Sequence, residues 1–207
     1  MDKVSRIIFI LENEIELDWF LVRGDPFRVL ITTLLSQRTR DENTGKASER
    51  LFSRFKTPEG LSKANVKEIE GLIRESGFYK VKAKRIKEIS KIVVDNGGKV
   101  PEDAGGLMEL PGIGKKTANC VLVYAYGKPC IPVDTHVHRI PNRMGLVKTK
   151  TPEESERELM KIVPKPQWIK FNELFVKFGQ RICKPVGPRC YKCPIEKLCE
   201  YEHKKLK

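Results

Sequence analysis

The sequence lacks the features of several large classes of protein. Its 207 residues contain no apolar run of the roughly 18 residues that a membrane-spanning helix needs. It also lacks sustained alternation of apolar and polar residues, internal repeats and low-complexity linkers. No signal peptide precedes the first predicted helix. We therefore expect a soluble protein of a reducing, cytoplasmic compartment, with little or no β-structure.

Cysteine is scarce, but four of the six cysteines lie close together near the C-terminus. At about 3% of the chain, cysteine falls well short of the roughly 8–10% that small disulfide scaffolds contain. Structural zinc sites usually combine two short cysteine pairs, and only one C-x-x-C is present here. A [4Fe–4S] cluster takes four thiolates at uneven spacings. The spacing C-x6-C-x2-C-x5-C therefore favours such a cluster over zinc, with these ligands: Cys183, Cys190, Cys193 and Cys199.

Positive charge dominates the composition. The formal net charge is +13, and the excess of lysine and arginine is concentrated in residues 74–99, 110–150 and 181–207. Such clustering indicates a polyanionic partner, of which nucleic acid is the commonest. A lysine-rich solvated surface would give the same composition, so charge alone leaves both interpretations open.

Apolar residues recur at helical spacing along almost the whole chain. Asp25-Pro26 and Thr151-Pro152 are typical helix starts, and Gly97-Gly98 is a typical helix end. The pattern predicts an all-α fold, with helices at about 2–16, 26–35, 41–55, 65–74, 80–95, 103–109, from 115 onward, from 152 onward and around 168–178.

The segment LPGIGKKTANCVL, residues 110–122, predicts two helices joined by a tight turn. Gly112 and Gly114 can adopt backbone angles that other residues avoid. The N–H groups that begin the second helix, together with its dipole, favour a phosphate. We expect this helix-hairpin-helix to bind a DNA backbone without reading bases, with Lys115 and Thr117 as further contacts. A plain helix–helix turn is the alternative.

Lys116 falls in the first turn of the second helix of this hairpin. The positive end of the helix dipole disfavours an ammonium, and burial would disfavour it further, so we expect a lowered pKa. A neutral lysine can act as an amine nucleophile. On local sequence alone, a phosphate contact or a solvated lysine is the commoner role.

Asp134 follows eighteen residues later, in IPVDTHVHR. Aspartate is a favoured N-cap, and nothing in the local sequence demands more of it. A capping carboxylate is also rigid and ionised, so Asp134 would be a suitable partner for Lys116 if the chain folds back. His136 and His138 are expected to make structural hydrogen bonds and take no part in the chemistry.

Three motifs in this order resemble the endonuclease III family of DNA base-excision glycosylases: LPGIGKKTA, VDTH and the cysteine pattern. LLSQRTRDENT and SGFYKVKA extend the resemblance over nearly the whole chain. It implies a six-helix barrel lobe over 21–131, with the helix-hairpin-helix at about 103–126. It implies a second lobe formed by 1–20 and 132–207, with the cluster loop at 183–199. The implied protein is a monomer near the nucleoid of a prokaryote, with DNA lying between the lobes.

By the same resemblance, Lys116 matches the family's nucleophile and Asp134 its catalytic carboxylate. The implied enzyme removes oxidised or ring-damaged pyrimidines from duplex DNA and cuts the abasic strand by β-elimination through a lysine Schiff base. One alternative is a mismatch glycosylase that acts on thymine or uracil opposite guanine, although such relatives carry tyrosine at the lysine position. The other is a non-catalytic DNA-binding iron–sulfur module.

The resemblance also implies residues that fill the gap left by a flipped base. The family uses a glutamine of the LLS-x-Q segment, and here either Gln37 or Arg38 takes that place. Phe78 matches a second, apolar wedge, and a core aromatic is its alternative.

The segment between the cysteines is itself basic. We expect a structural cluster to extend this segment into a surface that contacts phosphates through Lys184, Arg189 and Lys192.

Overall fold

The computed structural model describes residues 1–17 and 24–206. Within them the secondary structure consists of helices joined by turns and loops. No strand occurs in these residues, so the predicted fold class is confirmed. None of their helices is both long and apolar enough to cross a membrane. The α-helices are α1 (Lys3–Glu14), α2 (Pro26–Ser36), α3 (Asp41–Arg54), α4 (Pro58–Lys63), α5 (Val66–Leu72), α6 (Tyr79–Asp95), α7 (Ala104–Glu109), α8 (Lys115–Tyr126), α9 (Thr135–Arg143), α10 (Pro152–Ile162) and α11 (Trp168–Arg181). Three single 3₁₀ turns cover Lys165–Gln167, Cys190–Lys192 and Glu196–Leu198.

The helix ends follow the local signals in the sequence. The Asp25 side chain accepts a hydrogen bond from the Arg28 N–H at 2.7 Å, with Pro26 in the first helical position of α2. Thr151 and Glu154 form a reciprocal capping box at the start of α10. α6 ends where Gly97 and Gly98 take left-handed backbone angles. Helix α4 was not predicted, because its six residues are too few to show a period.

The chain divides into two compact units. One contains the described residues of Phe20–Lys128, and the other contains those of Met1–Trp19 and Pro129–Lys207. The predicted lobe boundary between residues 20 and 21 lies outside the described residues. In the first unit α2 packs against α3, α6 and α8, while α4 and α5 pack against α6.

The second unit is built around α11. This helix packs against α9 and α1, and α10 packs against α9. The rings of Phe171 and Phe175 on α11 stack with their centroids 4.0 Å apart, and both are fully buried in the core of this unit. The well-packed core fixes α9, and therefore the start of α9 at Asp134.

Candidate functional site

The hairpin between α7 and α8 is a tight turn that only glycine can make. Gly112 has φ of +79°, in the left-handed region, and a Cβ there would lie 2.7 Å from the Arg85 side chain. The Ile113 N–H donates to the Leu110 carbonyl at 3.1 Å, and the Ile113 side chain is buried. The turn thus anchors itself inward through Ile113, and Gly112 and Gly114 are exposed.

Within the described part of the chain, no side chain caps the backbone N–H groups in the first turn of α8. Gly114 is the N-cap residue, and it has no side chain that could accept from these N–H groups. Lys115 and Lys116 follow, and both side chains are exposed. Lys116 thus lies in the first turn of α8, at the positive end of the helix dipole, and it is exposed there.

The Gln37 side chain is hydrogen-bonded to both the turn and the second helix of the hairpin. Its Nε2 donates to the Gly112 carbonyl at 3.0 Å and to Thr117 Oγ1 at 3.2 Å. The Thr117 side chain is buried, so a phosphate contact at this position would have to use the backbone N–H. Gln37 is half-buried and already bonded within the protein, whereas the neighbouring Arg38 is exposed.

Arg38 and Phe78 lie side by side at the surface. The Arg38 guanidinium carbon is 5.6 Å from the centroid of the Phe78 ring. Phe78 is 62% exposed, so the alternative that it is a core aromatic is wrong. Both residues have left-handed backbones, with φ of +51° for Arg38 and +59° for Phe78. They border a surface depression that Val81, Lys82 and Arg85 also line.

Asp134 caps the N-terminus of α9. Its Oδ1 accepts from the backbone N–H groups of His136 and Val137, each at 2.8 Å. The Asn172 side chain on α11 donates to the Pro132 carbonyl at 2.5 Å, which fixes the loop just before Asp134. Asp134 is half-buried. The residues before it are fixed by Asn172, and its carboxylate is fixed by the N–H groups that follow it.

The two histidines after Asp134 make structural contacts, as predicted. His138 Nδ1 lies 2.6 Å from Ser155 Oγ on α10, and His136 Nδ1 lies 3.1 Å from Arg139 Nη2. A Cβ on Gly179 would lie 2.2 Å from His136 Nδ1, so this glycine is what lets α9 and α11 approach closely.

The four C-terminal cysteines line one cavity in the second unit. Burial raises the pKa of Cys183, and it raises the pKa of Cys193 to about 12, with the neighbouring cysteines adding to the latter shift. Four half-buried cysteines that line one cavity are a suitable donor set for a soft metal centre. Among the described residues, no three His, Cys, Asp or Glu are placed to hold a single metal ion.

Two arginines on α9 hold the start of the cysteine segment, and no motif in the sequence predicts this role. Arg139 Nη2 donates to the Cys183 carbonyl at 2.8 Å. Arg143 donates to the carbonyls of Lys184 at 2.7 Å and Pro185 at 2.8 Å, and its Nη1 lies 3.8 Å from Cys183 Sγ. Their spacing of four residues on one helix was the signal, but it is also common on solvated faces.

The segment between Cys183 and Cys193 presents its basic side chains unevenly. Arg189 and Lys192 are exposed, whereas Lys184 is half-buried. Gly187 has φ of +63°, which turns the chain between them. Arg189 and Lys192 are therefore the better placed of the three predicted phosphate contacts.

Comparison with known proteins agrees with these features. Residues 31–165 match the family model described as HhH-GPD superfamily base excision DNA repair protein. The chain is 53% identical to endonuclease III of Thermotoga maritima over 88% of its own length and 86% of the relative. The chain belongs to the endonuclease III family. Endonuclease III of Escherichia coli is 38% identical over 87% of this chain and 86% of its own.

Solved structures of two DNA-repair proteins have the same fold. A trapped endonuclease III–DNA covalent intermediate has a TM-score of 0.85 with 36% identity, and 97% of each chain is covered. A thermostable thymine-DNA glycosylase has a TM-score of 0.83 with 30% identity, covering 96% of this chain and 94% of its own. The endonuclease III family is thus shown by sequence and by fold, and the protein is a DNA glycosylase and abasic-site lyase of base-excision repair.

Proposed function

We propose that the protein removes oxidised or ring-damaged pyrimidines from duplex DNA and then cuts the strand through a Schiff base on Lys116. One observation carries the proposal. In a chain 53% identical to an endonuclease III, an exposed lysine occupies the first turn of α8, directly after the hairpin. If the hairpin binds the DNA backbone, the sugar of the bound nucleotide would come close to the lysine amine.

The Lys116 amine is proposed to attack C1′ of the damaged nucleotide. The new C1′–N bond forms as the glycosidic bond breaks, and the base leaves with the bonding electrons and takes up a proton. Ring opening gives an imine, which acidifies the C2′ hydrogens. Loss of one such proton expels the 3′ phosphate and cuts the strand, and water later releases the amine. Each step conserves atoms and needs no oxidant.

Asp134 is proposed to stabilise the positive charge that develops on the sugar as the base leaves. The carboxylate needs a fixed position and a negative charge for this role. The cap supplies the first, since Oδ1 accepts two backbone hydrogen bonds. The positive end of the α9 dipole supports the second. The same carboxylate is suited to assist proton transfer during the elimination.

The hairpin is proposed to bind the phosphates beside the lesion. Gly112 and Gly114 allow close approach of a DNA strand, and the uncapped N–H groups of α8 are suitable donors. Arg38 and Phe78, which project together from the surface, are proposed to fill the space that the flipped nucleotide leaves. Gln37 is proposed to act through the hairpin that it braces.

Cys183, Cys190, Cys193 and Cys199 are proposed to hold a [4Fe–4S] cluster. In a tetrahedral zinc site all four sulfurs lie about 2.3 Å from one ion, whereas the thiolates of a cubane cluster each bind a different iron and lie farther apart. The cavity that the four cysteines share supports a common metal centre, and their uneven spacing in the sequence supports the cluster. When bound, the cluster would tie the C-terminal segment to the core through these four cysteines.

Replacing one of these cysteines is expected to remove the cluster. Cys193→Ser should lose iron and acid-labile sulfide together, because a serine hydroxyl is a poor replacement for a thiolate ligand. The measurement is metal and sulfide content per chain of protein purified without oxygen. Cys120→Ser, a buried cysteine on α8, should keep the parent content. Zinc in the parent, or full iron in Cys193→Ser, would contradict the assignment.

Removing two exposed positive charges from the cysteine segment is expected to weaken DNA binding in a salt-dependent way. Arg189→Ala with Lys192→Ala should lower the slope of log K against log salt by about 1 for each lost phosphate contact. Binding to an abasic duplex is measured from low to moderate salt. Lys161→Ala, which removes an exposed lysine of α10, is the control. An unchanged slope in the double variant would refute the contact.

Product analysis on defined duplexes tests the proposed function. We expect base release and strand cutting on a duplex with one ring-saturated pyrimidine, leaving an unsaturated aldehyde on the 3′ end of the cut. The structural likeness to a thymine-DNA glycosylase makes a thymine·guanine mismatch the second substrate to test. Release of mismatched thymine without strand cutting, and no action on the damaged pyrimidine, would favour mismatch repair over our proposal.

A further inference from the structure

Lys82 is a buried lysine at the start of α6 to which the proposed mechanism assigns no role. Only 2% of the residue is exposed. Burial, with a smaller effect of Arg85, lowers its pKa to about 8. A buried ammonium is costly unless it is fully hydrogen-bonded, and here its nitrogen lies within 3.0 Å of four oxygens, contributed by Leu35, Gln37, Thr39 and Ser76.

These oxygens belong to two separate segments. The Lys82 Nζ donates to the carbonyl of Leu35 at 2.7 Å, in the last turn of α2, and to the carbonyl of Gln37 at 2.6 Å, in the turn that follows α2. It also lies 2.9 Å from Ser76 Oγ, in the turn that precedes α6. Ser76 Oγ donates in turn to the Leu35 carbonyl at 3.0 Å. One ammonium therefore connects segments that lie about forty residues apart in the sequence.

The turns touch each other beyond these hydrogen bonds. The Gly77 N–H donates to Thr39 Oγ1 at 3.0 Å. A Cβ on Gly77 would lie 2.6 Å from the Arg38 carbonyl oxygen, so the backbones meet where only glycine fits. The two turns form one unit whose geometry depends on the groups that Lys82 binds.

The same two turns contain two non-glycine residues whose backbones adopt the left-handed conformation. Throughout 1–17 and 24–206, the non-glycine residues with positive φ are Arg38 and Phe78. Such conformations persist only where the surroundings over-determine them. Arg38 follows directly after a carbonyl that Lys82 binds, and Phe78 lies two residues after Ser76 and four before Lys82.

We propose that Lys82 is a positioning residue that holds Arg38 and Phe78 together in the pose with which they engage duplex DNA. Its ammonium donates hydrogen bonds to two backbone carbonyls, and without these bonds the two turns would no longer be held together. The pair then projects as a preformed wedge of one cation over one aromatic ring. This inference rests on the proposed function, because it assumes that Arg38 and Phe78 contact DNA.

Lys82→Met tests the inference, since methionine keeps much of the side-chain volume and removes the donors. We expect excision of a damaged pyrimidine from duplex DNA to fall by about 10²-fold, the typical cost of a small misplacement. Cutting at an abasic site in single-stranded DNA, where no partner strand must be opened, should be unchanged. Lys82→Arg, which keeps charge and donors, should restore part of the duplex activity.

Hydrogen exchange separates positioning from general stability. Amide exchange in Lys82→Met should quicken at 36–39 and 76–78 and stay slow in α2 and α8. Lys91→Met, which removes an exposed lysine from the far end of α6, should match the parent in every measurement. If Lys82→Met does not fold, Lys82→Gln carries the same comparison.

Three outcomes would overturn the inference: equal losses on duplex and single-stranded substrates, faster exchange throughout the unit, or no change in duplex excision. The double variant Arg38→Ala with Phe78→Ala separates the two proposals. If it excises from duplex DNA like the parent, the wedge is refuted while the lysine chemistry stands. If the parent itself neither excises nor cuts, the proposed function fails first.

Discussion

Lys116→Gln is expected to lower base excision and strand cutting by at least about 10³-fold, because removing the nucleophile removes the covalent pathway. Glutamine keeps a polar chain of similar reach but cannot form an imine. Gly112 and Gly114 are untouched, so the variant should still bind an abasic duplex. The measurement is the single-turnover rate on a duplex with one damaged pyrimidine, together with the dissociation constant for abasic DNA.

Lys115→Gln is the matched control for this variant. Both lysines are exposed in the first turn of α8, so the two variants remove the same charge from neighbouring positions. Lys115→Gln should weaken binding modestly and keep strand cutting. Cutting that survives in Lys116→Gln, or disappears only in Lys115→Gln, would place the nucleophile elsewhere.

Asp134→Asn is expected to lower base excision by about 10² to 10⁴-fold, the range for a positioned general acid or base. The charge is lost, but the amide oxygen can still accept from the N–H groups of His136 and Val137, and asparagine is as good an N-cap as aspartate. The midpoint of thermal unfolding should therefore change little. Excision is measured under single turnover with saturating enzyme.

Asp134→Ala separates the cap from the charge. It should lose catalysis to the same extent and also cost about 1 kcal/mol of stability, since the cap is removed as well. If Asp134→Asn excises at the parent rate while Asp134→Ala is impaired, the residue acts through the cap alone. Its proposed role at the sugar would then be wrong.

Local signals predicted the parts of the molecule that depend on local chemistry. The helix start at Asp25-Pro26, the capping box at Thr151 and the hairpin at Gly112 each follow from residues within a few positions of one another. Helical spacing of apolar residues sufficed for the all-α class. These features need no knowledge of which helices pack together.

Contacts between residues that are far apart in the chain could not be predicted from the sequence. Lys82 sits on a helix rich in lysine, and nothing local distinguishes it from its solvated neighbours until α2 packs against α6. The sequence places Gln37 and Arg38 side by side as candidate DNA contacts, yet the Gln37 amide is bonded to the Gly112 carbonyl, seventy-five positions away. The exposure of Lys116 could not be predicted either, because it depends on what packs over the helix end.

Borohydride trapping followed by peptide mapping tests the central claim most directly. The parent protein is incubated with a duplex that carries one abasic site, the imine is reduced, and the cross-linked peptide is sequenced by mass spectrometry. We predict one covalent adduct, on the side-chain nitrogen of Lys116. An adduct on Lys115 or any other residue, or no adduct under conditions where the strand is cut, would contradict the account.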